Sequence, residues 1–285
     1  MTDSSLAEKP AGAASSEHPL DLAVALDLGA DGRLHGVASP AYWNFAGPFG
    51  GATAAVLLQA ILRDDRRTGR PLAQTTNYCA AITEAPFEIE VRLDRDGRST
   101  QHWNIVLTQE VQVAATGSVV TGAERATWGL QLASSPSAPT AEELTATDQS
   151  MHRGWMKNYE MRYAAGSPAE REGYSRENPG PGVTKVWLRD EPPRPLDYLA
   201  LTSMADAFAP RVMLVRGEMS PAATVTMSTY FLADEAEIRA QGSRPILGFA
   251  NPRAIAHGFH DQTAELWSDT GHLLVVSHQL VWFKA

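Results

Sequence analysis

The sequence predicts an α+β fold built from two similar halves. Three observations carry that expectation. The same order of elements occurs twice along the chain: a hairpin, one apolar helix, then several long strands. Residues 52–63 and 196–208 are good helix formers with apolar residues on most sides, which marks them as buried. The remaining hydrophobic runs alternate with a period of two, as half-buried strands do. A helix backed by an antiparallel sheet, twice over, is an α+β architecture. Residue identity between the halves is negligible, so the repeat is one of element order.

The elements follow in turn. Residues 1–19 are rich in Ser, Ala and Glu without periodicity and read as a disordered tail. Residues 21–28 and 34–38 flank Gly29, Asp31 and Gly32, a hairpin signal. WNFAGPFGG (43–51) is a Gly- and Pro-rich turn leading into the first helix, 52–63. Strands are expected at 74–82, at 87–93 and as a long pair within 100–120. There Trp103, Ile105, Leu107, Gln109 and Val111 make the period of two plain. A stretch low in apolar residues, 134–150, reads as a linker between an N-terminal half (20–133) and a C-terminal half (151–285). In the second half, 159–163 and 184–189 are expected strands. The second helix opens at Pro195 and stops before Pro210. Strands are then expected at 224–232, 245–249, 260–267 and 273–283, the last two joined by the turn Ser268-Asp269-Thr270-Gly271.

Composition narrows the function. The chain has 285 residues, 44% hydrophobic and 20% charged, enough apolar side chain for a sizeable core. Its net charge of -9 is a poor match for nonspecific nucleic-acid binding, which neutralises phosphates over a basic surface. No apolar run approaches the roughly 18 residues of a membrane span. The polar start lacks the pattern of a secretory signal, and Cys79, the single cysteine, cannot form an internal disulfide. A cytoplasmic protein is the expectation. G-x-S-x-G, the Walker loop, G-x-G-x-x-G and H-E-x-x-H are all missing. His257, His260 and Asp261 lie close together, but their spacing matches no common ligand pattern, and no metal or other cofactor is expected.

Longer segments carry a resemblance. FAGPFGGATAAVLLQA followed by FEIEVRLDRDGRSTQHWNIVLTQ resembles the first half of type II acyl-CoA thioesterases. WLRDEPPRPLDYLALTSMADAFAP, ATVTMSTYF and LWSDTGHLLVVSHQLVW resemble the second half more specifically, and together they cover about residues 20–285. The resemblance implies a double hotdog, two antiparallel sheets each wrapped around one central helix, in agreement with the repeat. It further implies hydrolysis of acyl-CoA to acid and CoA by a water held among an aspartate, a hydroxyl residue and a glutamine. These fall on Asp206 in MADAFAP, on Thr224 in ATVTMSTYF and on Gln279 in SHQLVWF. For the hydroxyl, Thr226 and Ser228 follow at strand spacing, on what reads as the same face, and stay open.

The residue types suit those roles. Asp206 falls in the last turn of an apolar helix, where the negative dipole end opposes a carboxylate and a raised pKa would suit a general base. The alternative is an aspartate turned to solvent. Gln279 shares a strand face with Ser277 and Val281, and its amide can both accept and donate. The alternative is an amide that satisfies neighbouring backbone. Gly50 and Gly51, ahead of the first helix, offer N–H groups for a developing oxyanion, or else permit close packing. Arg63, Arg66, Arg67, Arg95 and Arg98 are the local candidates for CoA phosphates. Two other readings compete: a non-catalytic acyl-CoA or lipid-binding protein, and a hotdog hydratase, which would want a histidine that neither helix carries. Double-hotdog proteins resemble fused dimers, so pairing into a homo-oligomer is expected.

Overall fold

The computed structural model describes residues 17–45 and 47–284. Most of the expected N-terminal tail lies outside them. Chain order begins with a short helix, α1 (Pro19–Ala23), capped by His18 with Pro19 in its first turn. The expected hairpin is therefore shorter than its pattern, with β1 (Asp27–Leu28) paired to β2 (Leu34–Val37). The Pro-initiated helix has claimed the residues read as the start of the first strand.

The first half continues with α2 (Gly50–Leu62), β3 (Arg70–Tyr78), β4 (Pro86–Asp96), β5 (Thr100–Gln109) and β6 (Gln112–Gly122). The second contains β7 (Tyr159–Ala165), β8 (Thr184–Asp190), α3 (Tyr198–Met204), α4 (Arg211–Arg216) and β9 (Ala222–Phe231). It ends with α5 (Glu235–Gln241), β10 (Ile246–Asn251), β11 (Ile255–Ala256), β12 (Phe259–Trp267) and β13 (Leu273–Phe283).

Sheet order is β1-β2-β4-β5-β6-β3 in the first half and, reversed, β9-β13-β12-β10-β8-β7 in the second. Each strand of one half has a counterpart in the other, with β11 as an addition beside β12. The repeat expected from element order is thus a repeat of topology, and the fold is a double hotdog. Its two sheets meet edge to edge through the antiparallel pair β3–β9, from Ala73 opposite Tyr230 to Asn77 opposite Thr226.

Both central helices are enclosed. Ten of the 13 residues of α2 and all seven of α3 are buried, so neither has the polar face of a surface helix. Strands β5 and β12 bury alternate residues against them, including Trp103, Ile105 and Leu107 in the first half and Ala264 and Leu266 in the second.

The second helix is shorter at both ends than its sequence pattern. Asp197, not Pro195, begins it, because the Asp197 side chain accepts the Ala200 N–H at 2.8 Å. At the other end the chain tightens, with Asp206 N donating to Ser203 O and Ala207 N to Met204 O. The stretch expected to be a linker is tied down. Lys185 and the Trp187 indole donate to the carbonyls of Ser137 and Pro139, and Arg162 donates to those of Ala141 and Leu144.

Candidate active site

The start of α2 packs against the end of α3. Glycine permits that approach: a Cβ on Gly51 would fall on the Ser203 carbonyl oxygen. The turn before α2 is pinned from the second half. Trp155 donates its backbone N–H to the Trp43 carbonyl, and its ring stacks on Phe49 with centroids 4.1 Å apart.

Asp206 sits at this junction and is 9% exposed. It lies past the end of α3, not in its last turn, so the helix terminus that bears on it is the N-terminus of α2. The positive end of that dipole favours a carboxylate. The Gly51 N–H and the Gln279 side chain both hold the carboxyl down, but burial outweighs them and pushes its pKa up to about 7. The solvent-turned alternative is therefore wrong. Gly50 leaves room for the carboxyl, since a Cβ there would lie 2.7 Å from Asp206 Oδ2 and 3.3 Å from the Tyr78 hydroxyl. Packing room, one of the two readings of this glycine pair, is in use at both positions, at Gly50 beside Asp206 and at Gly51 against Ser203.

Gln279 is 4% exposed on the inner face of β13. Its Oε1 accepts from the Thr224 hydroxyl at 3.2 Å, and its Nε2 donates to the Ala205 carbonyl at 3.4 Å. Thr224 reaches that face through an irregularity. In the β9–β13 ladder Thr226 pairs with Leu280 and Thr224 with Val281, so Val225 bulges out and the alternation reverses. Thr226 and Ser228 consequently point the other way, where they bond to Asn77 at 3.0 Å and Thr75 at 2.9 Å across the seam between the halves. The expectation that all three hydroxyls share one face is corrected by this bulge.

Tyr78 is a neighbour that the sequence reading missed. Its hydroxyl donates to the Gly50 carbonyl at 2.8 Å, and burial together with Asp206 raises its pKa well above the usual phenol value. The signal was present: Gln74, Thr76 and Tyr78 follow one another on the inner face of β3. Beside the first turns of α2, Ala52, Thr53 and Val56 line an apolar cleft with Ile82, Phe87 and Leu107.

The arginines proposed for phosphate do not gather here. Arg63 closes the C-terminal end of α2, about 20 Å along a 13-residue helix from Gly50, and it is bonded to the Leu26 carbonyl. Arg66 is paired with Asp64 at 2.7 Å, and Arg67 donates to the Leu62 carbonyl at 3.2 Å. Asp261, next to His260, spends its carboxylate on the N–H groups of Arg253 and Ala254. Among the described residues no group of His, Cys, Asp or Glu is arranged to hold a metal ion.

Fold and site together define a double-hotdog protein with a buried carboxyl and amide and a half-buried hydroxyl at the junction of its halves. Residues 39–122 match the acyl-CoA thioesterase N-terminal domain and residues 133–283 the acyl-CoA thioesterase C-terminal domain. The chain belongs to the acyl-CoA thioesterase family and is a thioester hydrolase.

Solved structures agree on the fold. A hot-dog protein of unknown function from Alicyclobacillus acidocaldarius is 38% identical, with a TM-score of 0.88 over 95% of this chain and 99% of its own. An acyl-CoA thioesterase II from Mycobacterium marinum is 17% identical, TM-score 0.72, over 93% and 98%. The tesB protein of Mycobacterium avium subspecies paratuberculosis is 16% identical, TM-score 0.75, over 93% and 98%. No curated protein matches the chain.

Proposed function

We propose that the protein hydrolyses acyl-CoA through a water activated by Asp206 and positioned by Thr224 and Gln279. The observation that carries this reading is the Asp206 carboxyl: enclosed, set against the first turn of α2, and with a pKa pushed up to about 7. Such a group holds and releases a proton near neutral pH, as a general base must. The Thr224 hydroxyl and Gln279 amide are already linked and lie on the same inner face, so a water between them and Asp206 would be oriented before substrate arrives.

In this scheme Asp206 takes a proton as the water oxygen bonds to the thioester carbon. The carbonyl oxygen becomes an oxyanion, with the Gly50 N–H, in the first turn of α2 and beside Asp206, as its donor. Collapse breaks the carbon–sulfur bond, and the proton held by Asp206 leaves with the CoA thiolate. The acyl chain enters by widening the narrow apolar cleft lined by Ala52, Val56, Phe87 and Leu107, which as it stands has room for about one water. The exposed Cys79 suits a reducing compartment such as the cytoplasm. No helix among the described residues is long and apolar enough to cross a membrane.

Release of free thiol from a panel of acyl-CoAs of graded chain length tests the reading. Turnover of at least part of the panel is expected. Binding without thiol release would favour a non-catalytic carrier.

A further inference from the structure

The turn that carries Asp206 is held from two sides. Asp206 follows the end of α3, so no further helical turn fixes it. From β13, Gln279 Nε2 donates to the Ala205 carbonyl at 3.4 Å. From β7 comes Tyr159, the first residue of that strand and fully buried. Its hydroxyl shares a hydrogen bond of 2.7 Å with Ser203 Oγ. The Ser203 carbonyl accepts the Asp206 backbone N–H at 3.2 Å, and against that same carbonyl Gly51 brings the start of α2. Burial, then Tyr42, then Asp190 opposite it in the β7–β8 ladder, raise the Tyr159 pKa well above the usual phenol value. The group therefore stays a hydroxyl at working pH.

The ring of Tyr159 works on the first half of the molecule. It stands edge to face with Phe49, the residue that precedes Gly50, with centroids 6.5 Å apart. Trp155 and Tyr42 pack on it in the same way at 5.8 and 6.3 Å. Its neighbour Asn158 clamps the same region, donating to the Ala41 carbonyl at 2.7 Å. One side chain thus reaches both partners of the junction, with its hydroxyl on the end of α3 and its ring on the approach to α2. A phenylalanine would supply the ring contacts. What the hydroxyl adds is a fixed place for Ser203, and through it for the chain at Asp206.

We propose that Tyr159 is a positioning residue for Asp206, its hydroxyl fixing the turn through Ser203 and its ring fixing Phe49 at the start of α2. The inference rests on the acyl-CoA hydrolase reading above, in which Asp206 is the base. Loosening the turn would admit water to the carboxyl and spoil its aim. Burial is the largest influence on this carboxyl and raises its pKa, so a wetter carboxyl should titrate at lower pH.

Tyr159→Phe keeps the ring and removes the hydroxyl, and Ser203→Ala removes the same hydrogen bond from its other end. Thiol release from the best-cleaved acyl-CoA is measured across pH 5–9 for wild type, both variants and the double variant, below their melting temperatures. Each single variant should lose roughly 10- to 100-fold in kcat with KM little changed, the scale on which a misplaced catalytic group costs rate. The midpoint of the pH profile should move below that of wild type. The double variant should lose no more than either single one, because the same bond is removed in all three. Thr226→Val, which loses a hydrogen bond on the other face of β9, controls for stability alone and should keep the wild-type midpoint. An unmoved midpoint in Tyr159→Phe, an unchanged kcat, or additive losses in the double variant would each overturn the proposal. If Tyr159→Phe does not fold, Ser203→Ala decides by the same midpoint. Melts give a readout independent of turnover: the gain in Tm that Asp206→Asn brings at pH 8 should be smaller in the Tyr159→Phe background. A wild type that cleaves no acyl-CoA would overturn the hydrolase reading, and an undiminished gain in the melts would overturn the role of Tyr159.

Discussion

Replacing Asp206 with asparagine removes a proton acceptor and leaves its shape almost unchanged, so its consequences for rate and for stability can be worked out separately. With a pKa of about 7, the carboxyl is only about one-tenth ionised at pH 6 and about nine-tenths ionised at pH 8. Wild-type turnover should therefore climb close to tenfold per pH unit below 7 and level off above it. Asp206→Asn should lose a factor on the order of 10²–10⁴, the contribution of a positioned base, and lose the climb as well. Stability moves in the opposite direction. Folding raises this carboxyl's pKa from about 3.8 to about 7, so the folded chain binds the extra proton between those values and its stability falls as pH rises through that window. At about 1.36 kcal/mol per pH unit the ionised carboxylate costs the fold about 4 kcal/mol at pH 8. The neutral asparagine does not carry that cost, so the variant should melt higher than wild type at pH 8, with the difference shrinking towards pH 4. Thiol release across pH 5–9, with melts in the same buffers, measures both. A folded Asp206→Asn variant that turns over at the wild-type rate would refute the reasoning, as would a wild-type profile flat between pH 6 and 8.

The bulge at Val225 separates hydroxyls that look alike in sequence. Thr224→Ala should slow hydrolysis by about tenfold or more, whereas Thr226→Val should leave the rate alone and cost only a hydrogen bond's worth of stability, about 1 kcal/mol. A rate loss in Thr226→Val and none in Thr224→Ala would reverse the assignment. The two glycines should fail in different ways. Gly50→Ala drives a methyl against Asp206 and Tyr78 and should abolish most activity, while Gly51→Ala pushes α2 off Ser203 and should show first as a lower Tm. Asp190 makes a further pH prediction. Both of its carboxyl oxygens are buried without partners among the described residues, and burial pushes its pKa up to about 7. Asp190→Asn should therefore raise the Tm more at pH 8 than at pH 5, and an equal shift at both would count against a buried neutral carboxyl.

Much of the architecture was legible in the residues. Two apolar helices cannot stand alone in water, and the period-two strands after each of them supply the apolar face that covers them. That logic is local, and it placed α2 and β13 to within two residues. The elements passed over had local signals of their own. Asp234 and Glu237 form a capping box at the start of α5, and Pro210 and Gly217 bracket α4. Of the site, Asp206 and Gln279 could be located along the chain, but their environments could not. The carboxyl lies beyond its own helix and against the start of another one 155 residues earlier, at Gly50 and Gly51. Its proton affinity is decided by that contact and by burial, neither of which neighbouring residues encode. Which of Thr224, Thr226 and Ser228 faces Gln279 turned on a single bulged residue opposite a strand some 55 positions away. One extra residue in a ladder reverses every side chain beyond it, and pairing between distant strands, not alternation within one, decides where that residue falls.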